Sequence, residues 1–201
     1  MSDYTLFFNP MSRALIARWA FVEAGVEPRL ELVEWENRPA ALLDANPMGK
    51  IPTIVHHAPS GDRVVSEAAA ICQYLAEMEA PDLLPREEEK ADYFRWLFFA
   101  AGPVEAAVTN RSMGWEPQDA RQEGTVGFGS YGRVLDTLDA WFAAHDYVCG
   151  KRFTMADVYV GSAVDWGLKF GTMEPRDSLK GYQSRMRARD AYKATLGALA
   201  T

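Results

Sequence analysis

Hydrophobic and polar positions change rhythm repeatedly along the chain, and each rhythm predicts an element. Tyr4 to Phe8 is a short run of strand-favouring residues. From Ser12 to Ala24, Leu15, Ile16, Trp19 and Val22 recur with Arg18 and Glu23 between them, a helical period that ends at Gly25. Leu30 to Val33 reads as a second strand, and Pro39 to Ala45 as a short helix with proline at a tolerated first-turn position. Pro52–His56 and Arg63–Val65 read as strands joined by the turn cluster Pro59-Ser60-Gly61-Asp62. Ser66 to Met78 reads as a helix opened by a serine N-cap. The predicted order is βαβαββα.

After Ala80-Pro81-Asp82-Leu83-Leu84-Pro85, which reads as a linker, the pattern turns almost wholly helical. Glu87-Glu88-Glu89 opens the next helix, three acids at its positive end and facing solvent. Gly102-Pro103 is expected to kink or break that helix before a segment from Val104 to Met113. Gln118 to Ala144 reads as one weaker helical stretch, interrupted in its first half by glycines. In Phe153-Thr154-Met155-Ala156-Asp157-Val158, Thr154 can cap a helix while Asp157 reaches back, with Phe153 and Val158 at staple positions. A last helix over about residues 176–189 carries Lys180, Arg185, Arg187 and Arg189. The domains expected are 1–79 and 87–201, with 80–86 between them.

Composition narrows the function. A 201-residue chain with 48% hydrophobic residues can bury a sizeable core, and a net charge of −7 argues against a nucleic-acid binder. Cys72 and Cys149 stand far apart with no Cys/His cluster, so neither a disulfide framework nor a metal site is expected. Cys72, in an apolar stretch, reads as a small buried hydrophobe. No run approaches the roughly 18 uncharged residues of a membrane span, and Arg13 and Arg18 break any leader-like pattern. A cytoplasmic protein with no membrane partner is expected.

Three stretches carry candidate chemistry. "FFNPMSRAL" ends a strand and starts a helix, yet offers only Asn9 and Ser12 as neutral hydrogen-bonding side chains. In "NPMGKIPTI", Ile51-Pro52 falls where a strand begins. A cis bond there would turn the Ile51 N–H and C=O towards an extended peptide-like ligand, whereas a trans proline would only open an edge strand. In "VVSEAAAI", Ser66-Glu67 stands at a helix start, where free amides favour a carboxylate and Glu67 can take an ammonium.

Asn46 to Thr53, Ser66 to Ile71 and the Phe153–Asp157 box, three motifs in order, resemble those of the cytosolic glutathione S-transferases, and the resemblance covers essentially the whole chain. The resemblance implies an α/β thioredoxin-like N-terminal domain followed by an all-α helical domain. It also implies a cytoplasmic homodimer that uses glutathione as cosubstrate and no metal, in detoxification chemistry. Carried onto this sequence, Ile51 pairs its backbone with the cysteinyl part beside cis Pro52. Ser66 and Glu67 hold the γ-glutamyl end, and Lys50 is a candidate for the glycyl carboxylate. Arg13 adds positive potential or pairs with an acid.

The opening turn divides the subclasses. Tyrosine-type relatives have a tyrosine where this chain has Phe8 before Asn9-Pro10, and cysteine-type relatives a thiol that is absent here. Tyr4 falls earlier in the strand and reads as structural. A serine-type or asparagine-type site remains, with Ser12, Asn9 or a backbone amide as the donor to the sulfur. Such a donor can suffice because glutathione brings its own nucleophile. A thiol of pKa about 8.5 needs roughly 2.7 kcal/mol of preferential thiolate stabilisation to drop two units. The resemblance implies an electrophile pocket between the domains, with Met11, Phe98, Phe99, Val104, Met113 and Trp115 as candidate walls. The reaction implied is thiolate addition to a small hydrophobic electrophile, with peroxide reduction or dehalogenation as variants. The alternative is a non-catalytic module that keeps the fold for protein partners.

Overall fold

The computed structural model describes residues 3–197. They divide into two compact units. One holds the residues up to Leu84 together with those from Arg189 on, and the other is Pro85–Ala188.

The first unit follows the predicted order: β1 (Tyr4–Phe8), α1 (Ala14–Glu23), β2 (Arg29–Leu32), α2 (Ala40–Ala45), β3 (Thr53–Ala58), β4 (Gly61–Ser66) and α3 (Ala68–Glu79). The sheet runs β2-β1-β3-β4, with β1 and β2 parallel and the other two pairs antiparallel. This is a thioredoxin-like layout. Leu6, Ile54, Ile71, Cys72 and Leu75 are fully buried between sheet and helices, so Cys72 is the small hydrophobe expected, its thiol pushed up to about 12 by burial. Gly25 ends α1 at φ 71°, the left-handed conformation that glycine adopts without a Cβ penalty. Tyr4 is structural. It is 1% exposed, donates to Glu79 Oε1 at 2.5 Å and stacks on His56.

The sequence reading carries the second domain to residue 201, but the described residues from Arg189 on belong with the first unit. Arg189 breaks the last helix at ψ 138°, and α10 (Asp190–Ala194) follows. The Arg189 guanidinium grips Glu23 of α1 at 2.6 and 2.7 Å, and Tyr192 meets Trp19 edge to face.

The second unit is helical: α4 (Lys90–Phe99), α5 (Glu105–Met113), α6 (Ala120–Thr125), α7 (Tyr131–Ala144), α8 (Met155–Lys169) and α9 (Asp177–Ala188). Gly102-Pro103 does not break the chain of turns between α4 and α5. A π-helical turn over Ala100–Val104 absorbs the missing proline N–H. The stretch expected as one helix from 118 to 144 is two, because residues 126–130 leave the helix and Gly129 takes φ 69°. Glu89 is not a solvated acid. Its carboxylate caps the Arg86 N–H and pairs with Arg152, which holds it below the usual carboxylate range.

The Thr154–Asp157 capping box is as expected and reaches further. Asp157 Oδ2 accepts from the Thr154 N–H and Oγ1, and Oδ1 from the Val148 N–H and the Tyr182 hydroxyl. Burial pushes its carboxyl up to about 6 while those donors pull the other way. The basic load of α9 is matched acid by acid: Lys180 with Asp177, Arg185 with Asp146, Arg187 with buried Asp165. No helix among the described residues is long and apolar enough to cross a membrane.

Candidate functional site

Strand register gathers the three chemistry-bearing stretches of the first unit. Phe7 of β1 stands opposite Thr53 of β3, and Thr53 stands opposite Ser66 of β4. One rank across the sheet thus launches the Asn9–Arg13 turn, receives the Asn46–Pro52 loop and launches the Glu67 turn.

In the opening turn the polar side chains are engaged with backbone. Asn9 Nδ2 donates to the Val33 carbonyl and Oδ1 accepts from the Met11 N–H, both at 2.8 Å. These partners fix the amide's orientation, since a carbonyl only accepts and an N–H only donates. Ser12 lies before α1 rather than in its first turn and is 9% exposed. Its hydroxyl donates to the Asn9 carbonyl at 2.7 Å and accepts from the Ala14 N–H at 3.1 Å. A serine has one hydrogen to give, and this one is directed at Asn9. Two donors remain in the turn, the second Nδ2 hydrogen of Asn9 and the Ser12 N–H, which has no partner among the described residues. Arg13 is exposed at the N-cap of α1, and Met11 is 83% exposed.

The middle loop ends in a cis Ile51–Pro52 bond. The Ile51 side chain packs partly buried against Phe7, Val33 and Leu42, while its N–H and C=O make no hydrogen bond among the described residues. Lys50 is exposed and unpaired among them. The sequence reading misses Arg38. It is exposed, and a Cβ at Gly49 would come within 3.0 Å of its Nη1. With Gly49 at φ 59°, any side chain there would strain the loop and displace Arg38. An exposed arginine eleven residues upstream gives no signal in sequence.

The third turn differs from expectation. Ser66 is the last residue of β4, and Glu67, not Ser66, is the N-cap of α3. Glu67 takes φ 67°, the only non-glycine residue with positive φ among those described, a conformation that costs on the order of 1–3 kcal/mol. No side chain caps the helix, so the first amides of α3 are open. The Ser66 hydroxyl and Glu67 carboxylate likewise have no partner among the described residues. The arrangement presents anion-binding amides with a hydroxyl beside a carboxylate, suited to a zwitterionic amino-acid end.

Of the expected pocket walls in the second unit, Phe98, Met113 and Trp115 are 68%, 55% and 64% exposed, and Phe99 is half-buried. Val104 is not a wall. At 2% exposure it sits in the core, carried inward by the π-helical turn. Among the described residues no group of His, Cys, Asp or Glu is placed to hold a metal ion.

Comparison with known proteins matches each unit separately. Residues 11–78 match the glutathione S-transferase N-terminal domain, and residues 103–190 the C-terminal domain of the same family. Glutathione S-transferase 3 of Zea mays is 28% identical over 187 residues, covering 85% of this chain and 81% of that one. The theta class glutathione S-transferase of Xanthomonas axonopodis pv. citri, solved with glutathione bound, superposes with a TM-score of 0.78. It is 27% identical over 97% of both chains. Elongation factor 1-gamma of Trypanosoma cruzi is 26% identical across 89% of this chain, which spans 43% of that protein.

Proposed function

Since the chain belongs to the glutathione S-transferase family, we propose that it is a glutathione transferase whose three turns at one rank of the sheet grip a single glutathione. The observation that carries this is the set of open groups at that rank: the Ile51 backbone, the Ser66 hydroxyl, the Glu67 carboxylate and the first amides of α3. Ile51 pairs with the cysteinyl backbone in β fashion. The α3 amides and Ser66 take the γ-glutamyl carboxylate, and Glu67 takes its ammonium. Lys50 and Arg38 answer the glycyl carboxylate.

The cysteinyl sulfur then lies over the opening turn. The engaged Ser12 hydroxyl favours Asn9 Nδ2–H and the Ser12 N–H as the thiolate's donors, with Arg13 adding positive potential. Two hydrogen bonds to a charged acceptor are of the order required, about 1.5–3 kcal/mol each. The thiol proton leaves to solvent, so no general base is needed. The thiolate's electron pair forms the new C–S bond as the acceptor's leaving group, or its π electrons, move away. Met11, exposed in the same turn, supplies apolar surface for that acceptor. The same proposal includes a cytoplasmic homodimer acting in detoxification.

Calorimetry with glutathione tests the reading, and absence of heat at millimolar ligand would end it. A panel of electrophiles and hydroperoxides then defines the acceptor. The likeness to elongation factor 1-gamma favours one second reading, a non-catalytic module that binds protein. Glutathione binding with no turnover across the panel would select it.

A further inference from the structure

Asn46, the residue that closes α2, is 9% exposed, and its side chain is wholly engaged within the Ile51 loop. Nδ2 donates to the Lys50 carbonyl and to Thr53 Oγ1, both at 3.1 Å, and Oδ1 accepts from the Met48 N–H at 3.2 Å. Fully buried Thr53 donates its hydroxyl to the same Lys50 carbonyl at 2.8 Å. The Gly49 N–H returns to the Asn46 carbonyl at 2.7 Å.

The Lys50 carbonyl and the Ile51 N–H belong to one planar trans peptide, so they point in opposite directions. Two donors drawing the carbonyl inward therefore fix where the N–H points. We propose that Asn46 and Thr53 are positioning residues that act through the Lys50 carbonyl to aim the Ile51 N–H at the cysteinyl backbone of glutathione. Neither touches substrate. The inference rests on the glutathione-binding reading above and adds the means by which the loop is held ready.

The test uses Thr53→Val, which keeps shape and removes the hydroxyl, Thr53→Ser, which restores it, and Asn46→Ala. Thr53→Val removes two hydrogen bonds of this network and Asn46→Ala three, and the expected increase in glutathione Kd and KM is about fivefold for Thr53→Val and about tenfold for Asn46→Ala. The kcat at saturating glutathione stays within about twofold, because the thiolate donors are untouched. Thr53→Ser returns to wild-type affinity. Independently of ligand, the 15N order parameter of the Ile51 amide falls in Thr53→Val and recovers in Thr53→Ser. Wild-type affinity and order parameter in Thr53→Val would overturn the proposal, as would a fall in kcat with KM unchanged. If the wild-type protein binds no glutathione, the transferase reading fails, while the order parameter still decides whether these two residues hold the Ile51 amide.

Discussion

The turns after β1 and after β4 leave the same rank of the sheet, one on either side of β3, and treat polar side chains in opposite ways. After β1, Asn9 bonds Val33 and Met11, and Ser12 bonds Asn9 and Ala14. After β4, the Ser66 and Glu67 side chains have no partner among the described residues, and Glu67 is held at φ 67°. The first turn uses its side chains to shape backbone and leaves mainly N–H groups to a ligand. The second keeps its side chains open and carries backbone strain. The hydroxyl and carboxylate left open to a ligand thus lie after β4, whereas after β1 the Ser12 hydroxyl is spent on backbone and Asn9 keeps one Nδ2 hydrogen to give.

The sharpest way to break that contrast is Glu67→Ala. Removing a charged hydrogen-bonding partner should weaken glutathione binding about 10- to 100-fold by calorimetry, with no loss of melting temperature. Undiminished affinity would place the recognition elsewhere. Next is Asn9→Ala, which removes the acceptor of the exposed Met11 N–H and the donor to the Val33 carbonyl. It should destabilise the protein by about 2 kcal/mol in urea denaturation, and a neutral result would mean the turn holds its shape without that amide. Glu67→Gly should do the reverse, gaining about 1 kcal/mol as the positive φ is relieved. A destabilised variant would show that the carboxylate has a structural partner after all. The smallest effect is expected for Ser12→Ala. The thiol pKa of bound glutathione, followed by thiolate absorbance, should move by less than about half a unit. A full unit would return the sulfur contact to the hydroxyl.

Local patterns were legible in the sequence, and distant partners were not. The Thr154–Asp157 box could be read because a capping box closes within four residues. The second oxygen of Asp157, which takes the Tyr182 hydroxyl, could not, since nothing local marks a partner twenty-five residues on. The helix after Ser66 was visible in its period, yet the cap moved to Glu67 because β4 runs on to Ser66. Backbone sign at a glutamate leaves no trace in composition. Ser12 was recognisable as a donor by type, but its acceptor is a main-chain carbonyl, which every residue has. The Arg189 break was hidden for a similar reason. A basic run reads as one helical face until Glu23, far away in sequence, takes one of its members.

The rank Phe7–Thr53–Ser66 also has a thermodynamic meaning. Its members are brought together only by the folded sheet, so a ligand gripping all three turns has no site on the unfolded chain. Glutathione would then act as a removable non-covalent staple across loops that are remote in sequence. At a hundredfold excess over its Kd it would add about 2.7 kcal/mol to the stability of that unit. The stability of this half of the protein would then follow the supply of the tripeptide.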